Sequence, residues 1–167
     1  MQTASYWIER LGLLAHPEGG YYGPMYRSEE EIPATALPAR YGGDRKLGSS
    51  IYFLVTETGF SAFHRLKTDE IWHFYTGSPL SLHLIHTGGR HEKQVLGPAF
   101  DAGERFQFVV QAGLWFAAEV TSPGAYALLG CTLAPGSEFA DFELAQQASL
   151  AGQYPQHTAL IRRLTRG

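Results

Sequence analysis

The chain has 167 residues, 44% of them hydrophobic and 17% charged, which is enough for one core and too apolar for a disordered chain. A formal net charge of −3 leaves no basic excess to neutralise phosphates, so no nucleic-acid partner is expected. No apolar run reaches membrane-spanning length, so no membrane partner is expected either.

Residues 3–14 read as a helix that Thr3 or Ser5 can cap, with Trp7, Ile8, Leu11 and Leu14 on one face. Glu9 and Arg10 interrupt its apolar stretch and no basic n-region precedes it, so it does not have the pattern of a signal peptide. A single cysteine, Cys131, can make no internal disulfide, and the two observations together point to the cytoplasm. His16-Pro17-Glu18-Gly19-Gly20 reads as a turn that stops the helix. Residues 21–28 contain Pro24 and read as an irregular edge strand. Residues 29–48, with three consecutive acids, two prolines and Gly42-Gly43, read as a long surface loop of the kind that serves as a lid or binding segment.

From Ser49 the strand signal is dense. Strands are expected over 49–56, 60–66, 70–76, 80–87, 91–97, 105–111, 114–120, 125–133 and 139–145, with Gly and Pro turns between them. Short strands at roughly 10-residue spacing, in a chain with 10 Phe, 9 Tyr and 19 Gly, indicate an all-β antiparallel barrel or sandwich forming a single domain over residues 1–167. After Gln146 the chain suggests helical turns packed outside, with Arg162, Arg163 and Arg166 near its end.

The richest stretch for chemistry is GFSAFHRLKTDEIWHFYTG, residues 59–77. Strand alternation puts Leu66 on the face of His64, and groups Glu70, Trp72 and Phe74 against Ile71, His73 and Tyr75. A His and a Glu at facing ends of paired strands can converge to hold a metal or share a proton. In residues 103–120, Gln107 shares a face with Val109, a polar group on an apolar wall whose partners a ligand can supply. Trp72, Phe74, Trp115 and Phe116 read as core or pocket wall. Ser50 and Tyr52 share a face on a neighbouring strand and can reach a ligand, Glu18 and Tyr22 can close a barrel mouth, and Glu138 lies near the pocket or in a solvated loop. His73 reads as structural or dimer-facing, His83, His86 and His91 as structural, and Cys131 as a buried small hydrophobe. No nucleophile elbow, P-loop or dinucleotide fingerprint is present.

Gly59, His64, Glu70 and Gly77 resemble the first motif of the cupin superfamily, and Gly103 and Gly113 approximate the second, with Gln111 in place of its proline. Leu66 stands where the second motif His would be and Phe116 where the third would be. Of the four usual ligands only His64 and Glu70 remain, which implies a pocket without metal or with a weakly held divalent ion and no other cofactor. HPEGGYY (16–22), SSIYFLV (49–55), DEIWHFYTG (69–77), FQFVVQAGLWF (106–116) and GCTLAPGSEFADFEL (130–144) resemble a cupin subfamily whose activity is largely unassigned. That resemblance implies a double-stranded β-helix, or jelly-roll barrel, paired as a homodimer. The shape is similar to that of deoxysugar epimerases, which use a His base and a Tyr acid without metal.

The expectation is a small-molecule-binding protein acting as a metal-independent isomerase or epimerase on a polar, sugar-like or carbonyl-bearing ligand. His64 would be the base, Glu70 would orient it, and Gln107 with a Tyr or Ser would hold the oxygen. The alternatives are a non-catalytic ligand-binding module and a metal-dependent enzyme in which His64 and Glu70 recruit His73 or a water.

Overall fold

In the computed structural model, which describes all 167 residues, helix α1 (Ala4–Arg10) opens the chain. The Thr3 hydroxyl caps it by accepting the Tyr6 N–H at 3.2 Å. It stops well before Leu14, because Gly12 takes a left-handed φ of +61° and β1 (Leu14–Ala15) pairs with β2 (Tyr21–Arg27). The segment expected to be a loop, residues 29–48, instead holds the paired strands β3 (Glu31–Ile32) and β4 (Arg45–Lys46) and two short 3₁₀ turns. A buried ion pair gives this segment its order. Arg45 reaches Asp141 through Nε at 2.7 Å and Nη2 at 2.6 Å, and both side chains are buried.

The expected strands follow as β5 (Ser49–Thr56), β6 (Ser61–Leu66), β7 (Glu70–Gly77), β8 (Leu80–Ile85), β9 (His91–Leu96), β10 (Gln107–Val110), β11 (Trp115–Glu119), β12 (Tyr126–Leu133) and β13 (Phe142–Leu144). The strand expected over 139–145 is shorter, since Phe139–Asp141 form a 3₁₀ turn. Helices α2 (Gln147–Gln153) and α3 (Thr158–Arg163) close the chain. No helix is long and apolar enough to cross a membrane.

Two antiparallel sheets face each other, in the orders β1-β2-β5-β12-β7-β10 and β13-β6-β11-β8-β9. β2 is not quite at the edge as expected, although only the two-residue β1 lies outside it. Its register on β5 shifts between Pro24 and Tyr26, where proline lacks the N–H a regular ladder needs. Alternation sends Phe53, Val55, Trp72, Leu82, Phe116 and Leu129 into the core between the sheets. Opposite-parity residues are buried from outside. Leu54 and Leu128 pack under α1, while Phe63, Trp115 and Ala117 pack under α2 and α3. The inner core stops short of one end of the barrel, where β5 and β7 begin and β12 finishes, and a cavity opens there.

Candidate functional site

His64 sits on β6 between Ala62 and Leu66, on the inward face, and is 2% exposed. Its Nδ1 lies 2.7 Å from the Ala62 carbonyl, which can only accept, so Nδ1 carries hydrogen and the Nε2 lone pair is available. The Phe116 ring lies 4.1 Å from the imidazole, centroid to centroid, and fixes its plane. Nε2 faces Glu18 Oε2 at 3.1 Å.

Glu18 comes from the HPEGG turn, which does not cap the barrel mouth as expected but inserts into it, leaving Glu18 5% exposed. Its Oε1 accepts the Ser61 hydroxyl at 2.6 Å, and its backbone carbonyl accepts the Ala62 N–H at 2.7 Å. Its own N–H donates to His16 Nδ1 at 3.2 Å, so His16 carries its hydrogen on Nε2 when neutral. The turn depends on Gly19 at φ +107°, where a Cβ would overlap the Phe60 carbonyl and the Arg166 guanidinium. The His16 ring meets Tyr22 edge-on at 4.9 Å and Phe142 at 5.7 Å. An acid followed by two glycines, preceded by a His and followed by aromatics, was the sequence signal for this insertion.

Glu70 is also buried, but the expected pairing with His64 is through charge alone, without direct contact. Its Oε2 accepts the Trp72 indole N–H at 2.8 Å, and Oε1 has no hydrogen-bond partner in the protein. Burial pushes the Glu70 carboxyl up to about 7, with the charge of Glu18 adding to the rise while His64 and Trp72 oppose it. Burial likewise pushes Glu18 up to about 7 against the pull of His16 and Ser61. Burial holds His64 and His16 below the ordinary imidazole value. Near neutral pH the folded site therefore favours neutral imidazoles, and its two carboxyls stand between the protonated and the ionised form. A protonated Glu18 Oε2 then donates to His64 Nε2, and small changes in surroundings move that proton.

These groups lie at the floor of a cavity of about 270 Å³. Trp72, Ser50, Tyr22 and Glu138 line it as expected. The Ser50 hydroxyl, however, is 3.3 Å from that of Thr132, so it is already partnered. Other expected wall residues lie elsewhere. Gln107 is exposed on the outer face of its sheet, paired in register with His73. Its strand runs opposite in parity to the one assumed, so Phe108 faces in. Tyr52 points outward beside α1, its ring 6.1 Å from that of Tyr75. Trp115 lies under the C-terminal helices with Arg65 stacked 4.5 Å above it. Phe74 packs at the edge of the inner core without reaching the cavity. Phe116 stands behind His64 in the core. The cavity also contains residues that sequence reasoning did not assign to it, namely His16, Arg27, Phe139 and Phe142. His73 bonds Thr132 at 3.2 Å on the outer face, and His83 lies between His91 and Glu119 beneath the C-terminal helices, so none of these joins the site.

Residues 5–145 match the family described as Cupin superfamily (DUF985). The chain belongs to the cupin superfamily. None of the curated proteins matches it. Among solved structures, this cupin is similar to a hypothetical protein from Leishmania major, with 34% identity, a TM-score of 0.91, and 99% of this chain and 100% of that one covered. It is also similar to a protein from Shewanella oneidensis, with 40% identity, a TM-score of 0.90 and 99% of both chains covered. Oxalate decarboxylase from Bacillus subtilis, at 13% identity and a TM-score of 0.53 over 90% of this chain and 36% of that one, shares the fold alone.

The residues of this cupin do not fit the superfamily's four-ligand metal centre. Leu66 lines the cavity and Phe116 packs on His64 where two ligands would stand. His64 Nε2 is engaged by Glu18, and no three His, Cys, Asp or Glu side chains are grouped to hold one ion.

Proposed function

We propose that this cupin binds a small polar ligand carrying a carbonyl group and moves a proton at the carbon beside it, the step common to isomerases and epimerases. The supporting observation is that Glu18, His64 and Glu70 are all buried around one cavity, with both carboxyls raised to about 7. A carboxyl poised near neutrality can accept a proton from carbon and return it without a large penalty in either direction. In the state with Glu70 ionised and Glu18 protonated, Glu70, with Oε1 free, takes the proton from the carbon. The proton held between Glu18 and His64 passes to the carbonyl oxygen, giving an enediol. Glu70 then returns its proton to the neighbouring carbon, an isomerisation, or to the opposite face of the same carbon after the enediol turns over in the site, an epimerisation, while an enediol hydroxyl gives a proton back to the Glu18–His64 pair and the enzyme is restored. The volume, just below the roughly 300–1,000 Å³ of small-molecule sites, suits a ligand of a few carbons to one sugar ring.

The test is hydrogen–deuterium exchange. A panel of aldoses, ketoses, uronic acids and 2-oxo acids is incubated with the protein in D₂O, and deuterium beside the carbonyl is followed by NMR. Glu70→Gln and His64→Gln should each slow the exchange by about 100-fold or more. Exchange that survives both substitutions, or none in the wild type, refutes the reading. A second reading, passive binding, draws on Leu66 and Phe116, apolar residues where chemistry-bearing ligands would stand. It is favoured if a panel member binds and is recovered without deuterium.

A further inference from the structure

Resting on that reading, the rim of the same cavity assigns the ligand a second group. We propose that Arg27, at the end of β2, binds a carboxylate of the ligand, so that the substrate is a small carbonyl compound with a carboxylate remote from the reacting carbon.

Arg27 is the only Lys or Arg among the residues lining the cavity. Its Nη1 donates to the Ser137 carbonyl at 3.0 Å and its Nη2 pairs with Glu138 Oε1. A guanidinium has five N–H donors in a planar fork, so most remain for a ligand, including the Nε–H. The Tyr22 and Tyr26 side chains line the same cavity, and neither hydroxyl is bonded within the protein. A cation and further unpaired donors on the wall of one cavity suit an anionic acceptor with several lone pairs.

Glu138 occupies the place such an acceptor would take, and it can leave. The Arg27 and Glu138 side chains are 47% and 37% exposed. Ion pairs this open to water hold weakly and exchange readily. A ligand carboxylate replaces the Glu138 carboxylate one charge for one charge. A phosphate would bring up to about two negative charges to a single guanidinium. The acids at the floor set the direction in which the ligand enters. Glu70, ionised as the base, disfavours a second anion at the deep end, so the ligand's carboxylate stays at the rim and its carbonyl end goes to the proton-transfer groups.

The experiment measures affinity by titration calorimetry for matched pairs that differ in a carboxylate remote from the carbonyl: glucuronate against glucose, and galacturonate against galactose. At least one acid should bind about 10-fold or more tighter than its neutral counterpart. Arg27→Gln should erase that preference, and Glu138→Gln should strengthen acid binding several-fold by removing the competitor. Opposite signs for the two variants are the signature, since a merely structural pair would weaken binding in both. Equal affinities within every pair, no acid bound at millimolar concentration, or weaker acid binding in Glu138→Gln overturns the assignment. Exchange measurements separate this from the proton-transfer reading. If acids bind through Arg27 while Glu70→Gln leaves exchange intact, only the proton-transfer reading fails. If exchange depends on Glu70 but not on Arg27 and acids gain nothing, only the carboxylate assignment fails.

Discussion

Replacing Glu18 by Gln should stabilise the protein above neutral pH while removing its proton-transfer capacity. Gln keeps the shape of the side chain, can still accept from the Ser61 hydroxyl, and presents an amide N–H to His64 Nε2 as a protonated Glu18 does. What it lacks is a charge to bury. The folded Glu18 carboxyl is raised from 4.5 to about 7 because burial disfavours its anion. In such a case the native state holds its proton longer than the unfolded chain does. The stabilising effect of that proton is complete below about pH 4.5 and is lost as pH rises through about 7. At about 1.36 kcal/mol per pH unit, the ceiling of the loss is about 3 kcal/mol. Glu18→Gln has no such slope, so its stability should match the wild type near pH 4, diverge between about 4.5 and 7, and stay higher at about pH 8. For a chain of this length the ceiling corresponds to a thermal midpoint about 6–12 °C higher at alkaline pH. Urea titrations or calorimetry across this pH range give the measurement, and D₂O exchange gives the activity. Parallel stability curves, or a variant less stable at alkaline pH, would show that Glu18 is not the strained neutral acid described above. A site that gains stability when its working group is removed is the usual trade between activity and stability.

Two further outcomes can be checked. Asp141→Asn leaves the Arg45 guanidinium buried without its counter-charge, which should cost about 3–5 kcal/mol and lower the midpoint by roughly 6–20 °C in calorimetry, whereas replacing both partners by apolar residues should recover most of it. The homodimer implied by the cupin resemblance should give a light-scattering mass twice the 18.4 kDa of one chain, and a mass of one chain at micromolar concentration would contradict it.

Much of the barrel was legible because its signal is local. Strand periodicity and Gly or Pro turns fall within ten residues of one another, and β5 matches its expected bounds while β6, β7, β9 and β12 come within one residue of theirs. The same periodicity predicted that His64 and Glu70 enter one cavity, and both line it. It failed for Gln107, where the short strand β10 begins after an irregular segment and the parity is reset. It also failed for Trp115, because an outer face buried by helices has the same hydrophobicity as an inner one.

What the linear order of residues determined by itself was the class of fold, the apolar alternation that closes it, and the presence of an imidazole and a carboxylate on its inner wall. Only the folded chain decided which acid touches His64. That is Glu18, brought in from a glycine turn 46 positions upstream by a carbonyl bond to Ala62 and a hydroxyl bond from Ser61. Contacts of this kind follow from loop geometry and burial, which depend on where the whole chain runs. A pattern of period two holds no information about them, so the sheets could be read from the sequence and the pairing at the centre of the site could not.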